Sequence, residues 1–253
     1  YQYSSNTWSQ LGQDLVGDNG DNNGQSVSLS ADGTIVAIGA HFHDSSKGRT
    51  RIYQYSSNTS TWSQLGQDLL GGDGDQSGWS VSLSANGTIV AIGDRYYAVN
   101  EGRKRIYQYS SNNTCSQLGQ DLIGGDGDTS GYSVSLSSDG TIVAIGATYN
   151  DDGGTNSGHV RVYKYNGSSW TTATAYPTGI KMAAACGTQT AGLVFSGNTP
   201  PNSVTGLTFA YDGTSWATSP TMATARQAGA GGGDFFPVTE GVTNILFILS
   251  GLV

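Results

Sequence analysis

The sequence GQSVSLSADGTIVAIGA, residues 24–40, returns as GWSVSLSANGTIVAIGD at residues 78–94 and as GYSVSLSSDGTIVAIGA at residues 131–147. In each copy, alternating polar and apolar residues lead through Asp-Gly or Asn-Gly into a stretch that is largely apolar. Asp-Gly and Asn-Gly pairs favour tight hairpins, because both residues tolerate a positive φ. The motif therefore predicts two antiparallel strands, A and B, and strand B has the composition of a strand buried on both faces.

Two further strands follow each copy of this motif. A variable loop leads to a stretch around Tyr-Gln-Tyr, which begins at Tyr53 and Tyr107, also occurs at Tyr1, and has a weaker version at Tyr163. A turn rich in Ser and Asn and the stretch Trp-Ser-Gln-Leu-Gly-Gln-Asp-Leu, residues 62–69, complete the repeat as strands C and D. Four antiparallel strands in a repeat of about 50 residues are typical of a β-propeller blade. No segment keeps the apolar period of a helix, so we predict an all-β fold.

The repeat continues in altered form towards the end of the chain. Tyr-Asn-Gly-Ser-Ser-Trp at residues 165–170 returns as Tyr-Asp-Gly-Thr-Ser-Trp at residues 211–216. We predict a single domain, residues 1–253, built as a β-propeller of about five four-stranded antiparallel blades. A C–D half-blade remains at residues 1–15 and an A–B half-blade at about 226–253, and pairing of the two, within or between chains, would close the ring and remove exposed strand edges. The complete blades are predicted at residues 25–69, 79–123, 132–176 and 180–222.

The first three repeats resemble the FG-GAP repeat, the blade type of integrin α-subunit propellers, through residues 24–40 and their two copies. The last two repeats resemble kelch repeats through Tyr-Asn/Asp-Gly-x-Ser-Trp and Gly-rich A strands. The resemblances divide the domain into FG-GAP-like blades (1–176) and kelch-like blades (177–253). They imply a propeller fold and leave the ligand open. The Asp-x-Asp-x-Asp-Gly calcium loop of many integrin-type blades is absent from the sequence, so no metal site is carried over from that family.

The composition is that of a protein kept in solution by neutral polar groups. Charged residues make up 12% of the chain, against about 25% in an ordinary soluble protein. The net charge of −8, with only 11 Lys and Arg residues, argues against nucleic acid and anionic membranes as partners. The apolar run Ile245–Val253 is too short to be inserted across a membrane, which takes about 20 residues. We expect an extracellular or cell-surface protein and, because the chain begins within a repeat, a processed product or part of a longer one.

Cys115 stands where neighbouring repeats place Trp8 and Trp62, so we interpret it as a small hydrophobic residue that replaces an indole. Cys186 falls at an unrelated position, which argues against a disulfide framework. Tryptophans at the starts of D strands are predicted to pack between blades rather than to bind a ligand. These are Trp62, Trp170 and Trp216.

In an antiparallel blade, the A–B and C–D turns lie at one face of the propeller, and the B–C loops and the connectors between blades lie at the other. Asn-x-Ser/Thr sequons fall in turns of the first face, where glycosylation is sterically reasonable. The alternative is a purely structural role, because Asn is a favoured turn residue and a chain rich in Asn, Ser and Thr contains sequons by chance. The candidate acceptors are Asn58, Asn86, Asn112 and Asn166.

The opposite face carries acidic connectors of the pattern Asn/Asp-Gly-Asp. Carboxylates two residues apart on such a loop are candidate calcium ligands. Each loop offers only two or three side-chain oxygens, however, so turn formation is the favoured interpretation. A second candidate, His41 with His43 and Asp44, occurs once and has no fourth ligand, and we predict neither a metal nor a cofactor. The candidate calcium ligands are Asp21, Asp73, Asp75, Asp126 and Asp128.

Three B–C loops on this face carry an aromatic residue at the same position, namely Phe42, Tyr96 and Tyr149. Rings on neighbouring blades could stack on sugars or anchor a protein partner. The alternative is that each ring packs beneath its own loop. These three residues are our candidate ligand-binding residues.

Three functions remain open. The first is a non-catalytic binding or adhesion module that recognises a glycan or a surface protein through this loop face. The second is a structural subunit of an extracellular assembly or filament, in which copies of the chain join through their half-blades. The third is a propeller glycosidase with paired carboxylates. It is the least favoured, because Glu occurs only at Glu101 and Glu240, the recurring Asp residues are spread over every blade, and no histidine stands beside a plausible nucleophile. We therefore expect no enzyme.

Overall fold

The computed structural model describes residues 1–172 and six shorter segments after them. In this part of the chain the fold is all-β, and the strands form antiparallel sheets, most of them with four main strands. The shorter segments are residues 184–188, 191–195, 198–199, 203–204, 208–211 and 216–220.

The chain starts with a two-stranded hairpin of β1 (Gln2–Ser4) and β2 (Thr7–Ser9). Tyr3 pairs with Trp8 across the hairpin, and the centroids of the two rings are 5.2 Å apart. Within the described residues, β1 pairs only with β2. The predicted partner of this half-blade, residues 226–253, lies outside the described residues, so closure of the ring stays a prediction.

The first four-stranded sheet has the predicted order of antiparallel strands, and we call it and the equivalent sheets blades, after the predicted architecture. Its A–B hairpin forms because the Asp32 carboxylate accepts hydrogen bonds from the Ser30 hydroxyl (2.6 Å) and the Thr34 backbone N–H (3.0 Å). Gly33 follows in the turn with φ +71°, a conformation that glycine adopts without strain. The elements of this blade are β3 (Ser26–Leu29), β4 (Ile35–Ala40), the four-residue turn α1 (His43–Ser46), β5 (Arg49–Ser56) and β6 (Thr61–Leu70).

The second blade repeats this order, but its fourth strand is interrupted. Two short pieces on either side of residues 118–121 both pair with the same third strand. In the first blade the fourth strand is continuous, and its pairing with the third strand shifts in register between Thr50 and Ile52. The elements are β7 (Ser77–Leu83), β8 (Ile89–Asp94), the turn α2 (Tyr97–Asn100), β9 (Arg103–Ser110), β10 (Thr114–Gln117) and β11 (Leu122–Ile123).

The third blade and a fourth sheet continue the pattern of four antiparallel strands. The third blade consists of β12 (Ser130–Leu136), β13 (Ile142–Ala147), β14 (His159–Tyr165) and β15 (Trp170–Thr172). The strands that follow are β16 (Ala184–Thr188), β17 (Ala191–Phe195), β18 (Asn198–Thr199), β19 (Ser203–Val204), β20 (Thr208–Tyr211) and β21 (Trp216–Ser219). The fourth sheet has the order β16-β17-β20-β21, and β18 pairs with β19 as a separate hairpin.

The hydrophobic core lies between neighbouring blades. Strands β4 and β8 are buried along their whole length, and β13 is buried except at Ala144, as predicted for strand B. One core cluster joins Ile52 of the first blade to Val90 of the second. Another joins Ile106 of the second blade to Ile145 of the third. The blades therefore stabilise one another by burying the apolar faces of their B strands.

A glycine near the end of the first and of the second B strand lets the next blade approach closely. A Cβ atom on Gly39 would collide with the carbonyl oxygen of Gly78, the first residue of the A-strand motif of the second blade. The Ser26 hydroxyl donates a hydrogen bond to the same oxygen at 2.8 Å. Gly93 has the same relationship with Gly131 of the third blade. These repeated contacts fix the spacing of the blades and explain why the motif keeps a glycine at this position.

Tryptophans at the starts of D strands pack between blades, as predicted. Nε1 of Trp62 donates to the carbonyl oxygen of Leu11 at 2.8 Å, and Trp170 makes the same bond with the preceding blade. Cys115 takes the equivalent place in the second blade, where it is a free, buried residue of the core. Burial raises the pKa of its thiol, consistent with a packing role. The side chain of Trp216 lies outside the described residues.

Candidate binding face

The B–C loops and the connectors between blades meet at one end of each blade, which we call the loop face. The backbone N–H of Phe42 donates to the carbonyl oxygen of Asp21 at 3.3 Å, joining the first B–C loop to the connector that precedes its own blade. The predicted aromatic residues and acidic connectors are thus brought together. The equivalent bonds in the next two blades are from Tyr96 to Asp75 (3.2 Å) and from Tyr149 to Asp128 (3.3 Å).

One aspartate of each connector is buried and acts as a turn residue. The Asp75 carboxylate accepts hydrogen bonds from the backbone N–H of Gly72 and from Nη2 of Arg103, both at 2.8 Å. Asp73 and Asp126, by contrast, are exposed. The turn interpretation therefore accounts for the recurring buried aspartates. The carboxylates of Asp21 and Asp128 likewise accept a hydrogen bond from the backbone N–H of the residue three positions earlier. The donors are Asp18 at 3.1 Å and Gly125 at 2.9 Å.

One group of side chains on the loop face has the composition of a metal site. Ligand atoms of Asp18, Asp21 and His43 lie within 4.8 Å of one another. The Arg49 guanidinium lies in the same group, with Nη2 at 2.8 Å from Asp21 and Nη1 at 3.3 Å from Asp18. Burial alone would raise the pKa of Asp21, but hydrogen bonds from Asp18 and His43 and the charge of Arg49 lower it. Arg49 supplies the positive charge that a cation would otherwise bring to these carboxylates.

His41, His43 and Asp44, the candidate at which we predicted no metal, do not form one ligand group among the described residues. His41 is 3% exposed, and its ring meets the edge of Trp79 on the next blade at 4.9 Å. Asp44 pairs with Lys47, with 2.7 Å between Oδ2 and Nζ. His43 alone faces its own connector. The two histidines thus point to different blades, although they are only two residues apart.

Four side chains of the second and third blades form a stacked surface on the loop face, here named the Arg95 platform: Trp79, Arg95, Tyr96 and Tyr132. The guanidinium carbon of Arg95 lies 3.7 Å from the ring centroid of Trp79 and 4.2 Å from that of Tyr96. It lies 5.5 Å from the centroid of Tyr132, whose ring is 5.7 Å from that of Trp79. These distances are those of cation–π contacts, which hold the guanidinium in place.

Phe42 extends the platform onto the first blade. The His41 ring bridges the two, with its centroid 4.1 Å from Phe42 and 4.9 Å from Trp79. Burial, together with the charge of Arg95, lowers the pKa of His41, so this ring is neutral at neutral pH. The outer rings remain open to solvent, since Phe42 is 41% exposed and Tyr132 is 39% exposed.

Of the three predicted ligand-binding residues, the structure brings two together. Phe42 and Tyr96 belong to one surface, continuous through His41 and Trp79. Tyr149 is 51% exposed at the same loop position of the third blade. Among the described residues, no ring contact joins Tyr149 to the platform.

Sequence reasoning missed Trp79, Tyr132 and Arg95. Trp79 and Tyr132 could have been found from the repeats, because both follow the first glycine of the A-strand motif. The first repeat has Gln25 at this position. Arg95 had no such signal, because the equivalent residues are His41 and Thr148.

Arg95 makes no ion pair within the described residues. Its Nη2 donates to the Tyr96 hydroxyl, and its Nε is buried without a hydrogen-bond partner. The charge of Arg95 is therefore uncompensated, in a chain whose net charge is −8. The other arginines of the described ranges each pair with a carboxylate, namely Arg49, Arg51, Arg103, Arg105 and Arg161.

All four sequon asparagines are exposed, at the turns where they were predicted. Asn86 accepts hydrogen bonds from the Ser84 hydroxyl (2.9 Å) and the Thr88 backbone N–H (3.1 Å). These are the contacts that Asp32 makes in the first blade, so turn formation by itself accounts for Asn86. Glycosylation stays a prediction for this residue and for the others, Asn58, Asn112 and Asn166.

Residues 124–163 match the family model of the FG-GAP repeat. The matched stretch contains β12 and β13 and the first five residues of β14, residues 159–163, all in the third blade. FG-GAP repeats occur in β-propellers of the integrin-like kind, which are often binding or adhesive proteins and typically extracellular. The resemblance is thereby confirmed for the third repeat, and the kelch resemblance of residues 177–253 stays a prediction. No curated protein matches the chain, and no helix in the described ranges is long and apolar enough to cross a membrane.

Proposed function

We propose that this chain is a non-catalytic, extracellular binding or adhesion module that recognises a glycan or a protein through its loop face. The observation that carries the proposal is the Arg95 platform, with its exposed outer rings and its unpaired cation. Partly exposed aromatic side chains grouped around an arginine are typical of recognition surfaces. The proposal includes a propeller of about five blades, closed by the N-terminal and C-terminal half-blades.

The proposal assigns no catalytic role to the loop face. The aspartates that recur there, Asp21, Asp75 and Asp128, are buried and accept hydrogen bonds from backbone N–H groups. A glycosidase instead needs two carboxyl groups facing a substrate across a cleft. These aspartates are separated on three blades and engaged by protein donors, which favours a binding module over an enzyme.

A screen of the chain against immobilised glycans and surface proteins tests the proposal. Replacing Phe42, Tyr96 and Tyr149 together by Ala should abolish the binding found, with Tm within about 4 °C of the unmodified protein. The matched control replaces Tyr3 and Trp8, exposed rings of the N-terminal hairpin, and should bind normally. Retained binding in the triple variant, or a large loss of stability, would contradict the proposal.

A second candidate function, a structural subunit joined through half-blades, is favoured by one contact. The Gln13 side chain donates to the carbonyl oxygen of Trp62 at 2.8 Å and accepts from its backbone N–H at 2.9 Å. Residues 1–15 are thus attached to the first blade as complete blades are attached to each other. Light scattering over a range of concentrations separates the two functions. A monomer supports the binding module, and growth of oligomers with concentration supports the structural subunit.

A further inference from the structure

The proposed function does not specify the chemical class of the ligand, and the side chain of Arg95 restricts that class. The charge of this side chain is held among aromatic rings, at 3.7 Å from the Trp79 centroid and 4.2 Å from the Tyr96 centroid. No carboxylate of the described ranges neutralises it. Aromatic contacts thus fix the position of the guanidinium, and its charge still lacks an anionic partner among the described residues.

The donors of Arg95 show from which side an anion would approach. Nε is buried, and Nη2 already donates to the Tyr96 hydroxyl. Nη1 makes no hydrogen bond within the described residues. A ligand carboxylate would therefore meet the outer end of the guanidinium, at Nη1, in a charge-assisted hydrogen bond. Because the rings already restrict the side chain, little conformational entropy is lost on binding.

Exposed rings beside this donor suit a ligand that carries a flat apolar face next to its carboxylate. Tyr132 and Phe42 are partly exposed at 39% and 41%, on the two sides of the Trp79 and Arg95 stack. The C–H face of a pyranose ring stacks on aromatic rings of this kind, and a sugar acid carries its carboxylate on the same ring.

We propose that the Arg95 platform is a subsite for a carboxylated sugar, a uronic or sialic acid residue joined to neutral sugars. The inference rests on the proposed function, since it assigns a ligand class to the same loop face. An acidic peptide or a densely sulfated polysaccharide fits less well, because a chain of net charge −8 repels a partner with many negative charges. A single carboxylate that binds a single cation avoids most of the repulsion between the negatively charged chain and its ligand.

Isothermal titration with four probes tests the subsite. They are a hyaluronan hexasaccharide, the same hexasaccharide with its carboxyl groups reduced to alcohols, sialyllactose and a hexaglutamate peptide. The unmodified chain should bind the acidic hexasaccharide or sialyllactose at least ten times more tightly than the reduced sugar. Arg95→Gln should remove this preference. Arg161→Gln, which removes an arginine paired with Asp152 at 3.6 Å, is the matched control and should keep the preference.

The remaining outcomes separate this inference from the function on which it rests. Equal binding of the acidic and reduced hexasaccharides, or no binding of either carboxylated sugar, overturns the subsite. A preference that persists in Arg95→Gln overturns it as well. Arg95-dependent binding of hexaglutamate in place of the sugars assigns the platform to an acidic protein and overturns the glycan. In all these cases the proposed function still stands if the alanine variant of Phe42, Tyr96 and Tyr149 loses the partner found in the screen. It fails if that variant still binds.

Discussion

The side chain of Gln67 makes with Cys115 the two hydrogen bonds that a peptide group of a neighbouring strand would make. Its Nε2 donates to the carbonyl oxygen of Cys115 at 2.8 Å, and its Oε1 accepts from the backbone N–H at 2.9 Å. Gln67 belongs to the first blade and Cys115 to the second, so a side-chain amide links two sheets that have no strands in common. The same pair of bonds joins Gln13 to Trp62 and Gln120 to Trp170.

Replacing Gln67 by Leu should lower the free energy of unfolding by about 1–3 kcal/mol, because two backbone groups of Cys115 lose their partners. Urea denaturation measures the change. Gln54→Leu is the matched control, since Gln54 is exposed on β5 and its side chain makes no hydrogen bond among the described residues. The control should change stability by less than about 0.5 kcal/mol. Equal effects of the two substitutions would show that the amide link does not hold the blades together.

Lys104 makes stability depend on pH. It lies between the second and third blades with 1% of its surface exposed, and its Nζ donates to Oγ of Ser130 at 2.6 Å. Burial, assisted by the charge of Arg161, lowers the pKa of Lys104 from 10.5 to about 7. Between these two values the unfolded chain holds a proton that the folded chain has released. The free energy of unfolding should therefore rise as pH increases from about 7, and it should be lowest below pH 7, where the buried amine is charged.

The variant Lys104→Thr isolates this effect, because Thr50 occupies the same position in the first blade. The stability of the unmodified protein relative to this variant should increase by about 2–3 kcal/mol between pH 6 and pH 9. Urea denaturation of both proteins at each pH cancels the contributions of all other titrating groups. Parallel stability curves for the two proteins would contradict a buried amine that loses its charge near neutral pH.

Asp94 should be required by the second blade, although Ala40 and Ala147 fill its place in the other two. Its Oδ2 accepts hydrogen bonds from Nε of Arg103 at 2.9 Å and from Nε of Arg105 at 3.0 Å, and Asp94 is fully buried. Asp94→Ala should lower the free energy of unfolding by about 3–5 kcal/mol, because it leaves the buried guanidinium of Arg105 without its anion, whereas Arg103 keeps Asp75.

The control for Asp94 is Asp152→Ala. Asp152 pairs with Arg161 at 3.6 Å but is 73% exposed, and exposed ion pairs contribute at most about 1 kcal/mol. Thermal and urea unfolding should show a small effect for Asp152 and a large one for Asp94. A stable Asp94→Ala variant would mean that Arg105 finds another partner.

Metal ions should leave stability unchanged. Asp18, Asp21 and His43 share Arg49, whose guanidinium already neutralises the carboxylates. Addition of calcium, zinc or EDTA should therefore not shift Tm, whereas an ion that binds the folded chain raises it. Arg49→Met is the companion variant, because it frees the carboxylates. A metal-dependent rise in Tm of the unmodified protein would show that this group is a metal site.

The structural features that were predicted correctly from the sequence are those that recur in successive repeats. Asp32 and its counterparts fix a hairpin by local hydrogen bonds, Gly39 permits a close approach of backbones, and the B strands are apolar on both faces. Each of these features acts within one repeat or between adjacent repeats in the same way, so periodicity reveals it. The predicted position of Trp62 between blades was confirmed for the same reason.

The candidate site lies where the repeats differ, and periodicity carries no information there. Arg95 occurs in one repeat, and its partners Trp79 and Tyr132 come from two different A strands. Which side chains meet depends on how adjacent blades are placed, and no spacing along the chain encodes it. His41 and His43 show the same limit, because two residues that are close in sequence face different blades.

Two deletions in the N-terminal segment test ring closure. They separate the stability that comes from its contacts with Trp62 from the stability that comes from the β1–β2 hairpin. Removing residues 1–15 takes away both Gln13 bonds to Trp62 and the carbonyl acceptor of the Trp62 indole. This deletion should lower Tm and expose Trp62, with a red shift of tryptophan emission, whether or not the ring is closed. Removing residues 1–9 takes away only the β1–β2 hairpin and leaves Gln13 in place.

The shorter deletion is the one that tests closure. If residues 226–253 pair with the hairpin to complete a blade, removing residues 1–9 leaves a strand edge and its backbone N–H and C=O groups without partners. The deletion then lowers stability by several kcal/mol or causes concentration-dependent aggregation, and light scattering and urea denaturation detect these outcomes. If the hairpin has no such partner, the cost stays below about 1 kcal/mol, because Tyr3 and Trp8 are already 56% and 66% exposed. A monomeric, equally stable protein without residues 1–9 would therefore contradict closure of the propeller through its N-terminal strands.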